Sequence, residues 1–198
     1  MADAVIRMDE HAEQESLEAQ LLARAKSGEL DAFEQIIVRH ERRVFALALR
    51  LTGSVEDAKD ATQEAFLRMH RKIAYVDSNR SLGPWLYTVT VNICRDMGRV
   101  RQRSRVKQMD EWTAHTPDPA ADPEGVFCGR QREGYLRAGL RTLPEKERAA
   151  LLLREMEGLS TGEVARILGS SPATVRSQIS TARLKLRKFF ARKSGESL

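Results

Sequence analysis

Side-chain catalysis needs acids, bases, nucleophiles or metal ligands gathered in sets, and this sequence supplies no such set. The four histidines, His11, His40, His70 and His115, are scattered. Cys94 and Cys128 lie in unlike contexts and form no CxxC or Cys/His cluster. No carboxylate cluster, phosphate-cradling P-loop or nucleophile motif is present. The sequence therefore predicts a protein that is not an enzyme, with no catalytic residue, no metal and no cofactor. Its chemistry is recognition. Arg95, Arg99, Arg101, Arg103, Arg105 and Lys107 form one basic block against Asp96 alone, and the stretch from Arg176 to Lys193 holds seven bases and no acid. Two separated basic blocks suggest a polyanion touched at two places.

The rest of the charge is uneven too. The 198-residue chain carries a formal net charge of +5, yet its first twenty residues hold six acids (Asp3, Asp9, Glu10, Glu13, Glu15, Glu18) against Arg7. A 41% hydrophobic and 31% charged composition suits small helical units with much solvated surface. Thiols without partners indicate a reducing compartment. No signal-peptide pattern opens the chain, and apolar runs such as Ala149 to Leu153 fall far short of the roughly 20 residues a membrane span needs. The expected location is cytoplasmic, without membrane insertion.

The elements that must hold these blocks read as helices throughout. After a polar, acidic arm, periodicity begins at Leu17, Leu21 and Leu22 and pauses at Ser27-Gly28. Phe33, Ile36, Ile37, Val44, Leu47, Ala48 and Leu51 then make a core-facing stripe, with Asp31 as its expected N-cap and Gly53 as its end. Ser54 precedes Val55-Glu56-Asp57 and suits the cap of a third helix, whose alanines permit close approach by a neighbour. Tyr75 to Gly83 reads as a loop. Pro84 suits the first turn of a fourth helix, continuing through Trp85, Leu86, Val89, Ile93 and Met97 into the first basic block. From Ser104 to Gly125 apolar residues thin out, and Pro117, Pro119 and Pro123 disfavour helix. Beyond it, Leu143-Pro144-Glu145 opens another helix, for which Ala149, Leu152, Leu153 and Met156 are the expected buried side and Gly158 the end.

Ser160-Thr161-Gly162-Glu163 fits a capping box, a short helix stops at Gly169, and Ser171-Pro172 starts another. That is the helix-turn-helix pattern. On a 100° wheel Val175, Ile179, Ala182, Leu186 and Phe190 share the buried face. Arg176, Ser177, Ser180, Thr181, Arg187 and Lys188 fall opposite, with Arg183 at the border. Short hydroxyls early and bases later suit a helix seated in the DNA major groove. Leu184, on the same outer side, has no role in this pattern.

Three segments together carry a family resemblance. Asp57-Ala58-Lys59-Asp60-Ala61-Thr62-Gln63-Glu64-Ala65-Phe66-Leu67 resembles the DAEDxxQExFL signature of sigma region 2.2. Pro84 to Asp96 resembles the WLYxIAxNxxxD signature of regions 2.3 and 2.4, and Leu143 to Arg183 is similar to region 4. In order and spacing the chain resembles, from Leu21 to Arg192, an extracytoplasmic-function (ECF, group 4) sigma factor of the sigma-70 family. A stand-alone helix-turn-helix regulator is the alternative, but it leaves the Asp57 to Leu67 and Trp85 to Asp96 segments unexplained.

The resemblance implies an all-α protein of two small helical domains, a region 2 bundle and a region 4 helix-turn-helix. The implied boundaries are an acidic arm over 1–16, region 2 over 17–103, a flexible Pro-rich linker over 104–129, region 4 over 130–192 and a tail over 193–198. It implies that the chain confers promoter recognition and DNA-strand opening on core RNA polymerase, through the clamp helices of the largest subunit and the flap of the second-largest. A stress-responsive role under an anti-sigma factor follows from the same likeness. Asp57, Asp60, Gln63 and Glu64 are the implied polymerase-docking residues on an exposed edge. Asp77, Ser78, Asn79, Arg80, Trp85, Tyr87, Asn92, Arg95 and Arg99 are implied at the −10 element, Trp85 fitting a core position as well as a stacking one. Thr174, Arg176, Ser177, Ser180, Thr181 and Arg183 are implied at the −35 element. Gln178 and Thr181 stand where many relatives carry arginine, so no known −35 preference transfers.

Overall fold

A computed structural model describes residues 16–77, 81–109 and 127–194, the side chains of 104–109, 127–133 and 194 excepted. Within these residues every element is helical. Helix α1 covers 16–26, followed by α2 (Leu30–Thr52), α3 (Val55–Lys72), a 3₁₀ turn (Ile73–Tyr75) and α4 (Leu82–Met109). The second half holds α5 (Phe127–Arg141), α6 (Glu145–Glu155), α7 (Thr161–Leu168) and α8 (Pro172–Ser194). No helix among the described residues is long and apolar enough to cross a membrane.

The stripe on α2 buries Ala32, Ile36, His40, Val44, Leu47 and Ala48, the i, i+4 line that 3.6 residues per turn requires. Ala58, Ala61 and Ala65 on α3 are fully buried and let α2 and α4 pack closely on it. The helix starts show which local signals decided the chain's path. Ser54 caps α3 as expected, accepting from the Asp57 N–H at 3.3 Å. Asp31, the expected cap of α2, instead lies in its first turn: the helix starts at Leu30, and Glu29 takes the cap position without a side-chain bond. An acid there still complements the positive helix end, so the electrostatic role survives without the hydrogen bond. Met156, expected on the buried side of α6, is exposed, because α6 ends at Glu155 and the chain turns away.

The expected linker of 104–129 is helical at both ends, since α4 runs to Met109 and α5 begins at Phe127. The intervening 110–126, the arm residues 1–15 and the last four residues lie outside the described part. The two halves meet directly. Leu47 of α2 with Tyr87 and Val91 of α4 join one apolar cluster with Leu140, Leu143, Ala149, Val175 and Ile179. Around it Arg148 donates to the Leu51 carbonyl at 2.8 Å and Arg141 to the Gly53 carbonyl at 2.6 Å. Two guanidiniums thus satisfy carbonyls at the negative end of α2. Gly53 is required by its left-handed φ of 74°, and a Cβ there would also displace the Arg141 guanidinium, 2.7 Å away at Nε. Arg95 adds an ion pair to Glu145 at 2.8 Å. Exposed pairs contribute about 0–1 kcal/mol, whereas each fully buried apolar side chain contributes roughly 1.5–3 kcal/mol. The apolar seam, not the ion pair, holds the halves together.

Candidate nucleic-acid and polymerase interface

The residues expected to take part in recognition fall on three surfaces. The first is the outer edge of α3. Asp60 and Gln63 are exposed and Glu64 is half-buried, one turn along from Asp60. Arg68 bonds the Glu64 carboxylate at 2.7 Å, an i,i+4 pair that holds its pKa below the ordinary value. Leu67 is exposed beside them and gives the acidic edge an apolar centre. Asp57 departs from this edge: it is 8% exposed, and Arg101 of α4 pairs with it. The reason is periodicity, because Asp57 shares the i+4 line of Ala61 and Ala65, whereas Asp60 and Glu64 lie on another.

The second surface is the turn between α3 and α4 with the α4 face beyond it. Tyr75 is 88% exposed, and Asp77 and Ser81 are exposed on either side of 78–80. The expected Ser78, Asn79 and Arg80 lie outside the described residues. Trp85 is partly buried against the first core. Tyr87 is 4% exposed in the seam between the halves, where burial first, and then Glu157 beside its hydroxyl, push its ionisation well above the ordinary value. Asn92, Arg95 and Arg99 line one side of α4 at helical spacing. Arg99 is exposed with Asp96 3.8 Å away, while Arg95 is drawn to Glu145.

Tyr75 is an exposed aromatic beside this turn that the sequence reading left out of its candidates. An aromatic next to a polar loop was the available signal, since a side chain that large stays exposed only where packing has no use for it.

The third surface is α7–α8. Ser160 and Glu163 form the reciprocal capping box, and Gly169 at φ 60° turns the chain. Ser171 Oγ accepts from the Thr174 N–H at 3.1 Å and lies 2.8 Å from the Thr174 hydroxyl, so Thr174 belongs to the cap of α8. Val175, Ile179 and Ala182 are buried, leaving Arg176, Ser177 and Ser180 exposed and Thr181 half-buried. Arg176 makes no ion pair or hydrogen bond with any described residue, whereas Arg183 pairs with Glu155 of α6. Arg154, Arg176, Arg183 and Arg187 line one open groove with Ser180 and Leu184. Four guanidiniums around hydroxyls suit phosphate contacts flanking base contacts.

Comparison with known proteins places both halves. Residues 36–106 match the sigma-70 region 2 family and residues 133–186 match sigma-70 region 4. An ECF RNA polymerase sigma factor, SigM of Mycobacterium tuberculosis, is 33% identical over 87% of this chain and 84% of its own length. The chain belongs to the ECF sigma factors of the sigma-70 family. ECF sigma factor SigE of Mycolicibacterium smegmatis is 35% identical over 85% of this chain, which spans 65% of that relative's length. The solved structure of CnrH in complex with the cytosolic domain of CnrY matches 89% of this chain and 98% of that one, at 25% identity and a TM-score of 0.64. The region 2 match then falls on α2–α4 and the region 4 match on α5–α8, with α7–α8 its helix-turn-helix.

Proposed function

We propose that this chain is a non-enzymatic, cytoplasmic subunit that gives core RNA polymerase its promoter preference. Asp60, Gln63 and Glu64 on α3 dock the polymerase clamp helices, where acidic and amide groups meet basic partners. The rim of Tyr75, Asp77 and Ser81, with Ser78, Asn79 and Arg80 between, captures an unstacked base of the −10 element. Tyr75 supplies a stacking face and the polar groups read the edge. Asn92, Arg95 and Arg99 follow the backbone. Region 4 meets the flap of the second-largest subunit and seats α8 in the −35 major groove, where Arg176, Ser177 and Ser180 reach base edges and Arg183 and Arg187 meet phosphate.

The observation that carries this reading is the coexistence, on one chain, of the outward acidic edge of α3 and the outward hydroxyl-and-arginine face of α8. A stand-alone regulator has use for the second alone. The packed halves also favour regulation. Tyr87 and Arg95 are engaged across the seam, so their use on DNA requires the halves to part. An anti-sigma factor that binds both halves together would act on this step.

In vitro transcription with purified core polymerase tests the reading. Promoter-specific initiation is expected only with both components present, and the free chain should bind DNA weakly and in a salt-sensitive way. Tight operator binding without polymerase, and no initiation with it, would replace this reading with the stand-alone regulator.

A further inference from the structure

We propose that α1 is a positioning strut for the −10 rim, with Glu18 and Lys26 as its two contact residues; this rests on the proposed role of the rim between α3 and α4. The rim has two roots. One is Val76, which ends the 3₁₀ turn, and the other is Leu82, the first residue of α4. Both side chains are buried in the first core. Each root still has a backbone group facing α1, and the two groups have opposite character. The Val76 carbonyl needs a donor, and Lys26 Nζ gives one at 2.5 Å. The Leu82 N–H needs an acceptor, and Glu18 Oε1 accepts from it at 2.5 Å.

This is helix capping supplied from outside the helix. A helix N-terminus leaves N–H groups unpaired and carries partial positive charge, which a carboxylate satisfies; the end of a helical turn leaves carbonyls that a cation satisfies. The Leu82 N–H is capped by Glu18, 64 positions away in sequence. Lys26 and Glu18 are eight residues apart, about 12 Å along a helix at 1.5 Å per residue. One rigid element therefore fixes both roots at once, and with them the approach of Tyr75, Asp77 and Ser81.

Glu18 is itself braced. Its second oxygen lies 3.5 Å from Nε2 of His40, which is 5% exposed on α2. Burial raises the Glu18 pKa, but the nearby His40 and the bond from the Leu82 N–H outweigh it, so the carboxyl stays below its ordinary value and charged. Arg39 also lies near enough to lower it. A rim held from both roots loses less conformational freedom on capturing a base, which sharpens discrimination rather than adding contact. Glu18 and Lys26 are positioning residues and touch no DNA.

The test uses the full chain with core polymerase on a promoter library randomised over the −10 positions, with transcripts sequenced. Wild type should enrich a narrow set of −10 sequences. Lys26→Met and Glu18→Ala should each reduce enrichment of the best sequences over the median by roughly three- to tenfold, the net worth of one ordinary hydrogen bond. Core-polymerase binding should not change. Glu18→Gln, which keeps an acceptor for the Leu82 N–H, should recover part of the loss. A merely structural role would lower yield across all sequences without flattening the profile. Asp77→Ala and Ser81→Ala serve as rim controls. If these reshape the profile but the α1 variants do not, the strut is refuted and the rim reading stands. If neither set changes it, the rim reading fails and the strut with it. Should Glu18→Ala melt the bundle, Lys26→Met alone decides the question.

Discussion

Two aspartates three positions apart on α3 have opposite fates, and helix geometry alone separates them. Asp57 is on the alanine line and pairs with Arg101, whereas Asp60 points outward. Asp60→Arg or Gln63→Ala should weaken pull-down of core polymerase while leaving thermal unfolding unchanged. Asp57→Ala should do the reverse in part, lowering stability by no more than about 1 kcal/mol, because its partner Arg101 is 56% exposed and regains water. Equal loss of polymerase binding in all three, with no loss of stability in Asp57→Ala, would put Asp57 back on the docking edge. Cys94 gives a second residue-level prediction. Burial, and then the nearby Asp57 charge, push its thiol up to about 12. At pH 8 roughly one molecule in ten thousand then carries the thiolate, so alkylation in a Cys128→Ser background should be very slow. An exposed thiol ionises near 9.0, so this group's contribution to stability is intact below pH 9 and falls as pH rises from there toward 12. A denaturant midpoint that is flat from pH 8 to pH 10.5 would contradict this burial.

At the scale of elements, local chemistry proved most readable where a cap closes on itself. The Ser160–Glu163 box, Gly169 and the Ser54 cap are all sequence-local, and each formed as the residue types required. Ser160→Ala should cost about 1 kcal/mol, read as a lower denaturant midpoint. Arg176→Ala should cut transcription mainly at promoters with the cognate −35 sequence. A uniform loss across −35 variants would mean that Arg176 meets phosphate only. Element ends were less legible. The apolar pattern of α4 fades after Met97, yet no glycine or proline lies between Arg99 and Met109, so the helix continues. Hydrophobic periodicity marks what a core needs, and a helix can run on past its last buried turn.

The whole molecule is decided by the seam. Arg141 and Arg148 grip carbonyls at the end of α2, and the Arg148 guanidinium is buried enough that desolvation lowers its pKa. Replacing both with alanine removes these links and leaves the apolar contacts to hold the halves. The expected outcome is a larger radius of gyration by small-angle scattering and faster alkylation of Cys94, which lines the cleft between the halves. Unchanged scattering would show that Leu47, Tyr87 and Val91 suffice alone.

The sequence by itself determined the helices, the caps of α3 and α7, the two basic blocks and the outward face of α8, because these depend on neighbours within a few positions. It also carried the family signatures in order. Tertiary structure alone decided that Asp57 is an internal partner, that Tyr87 and Arg95 face region 4, that Tyr75 stands free, and that α1 reaches both roots of the turn before α4. Each of those depends on which element packs where, and the hydrogen bonds of Asp57, Arg95 and α1 among them span 44 to 64 positions of chain. Periodicity reports which side of a helix is buried, but not what buries it.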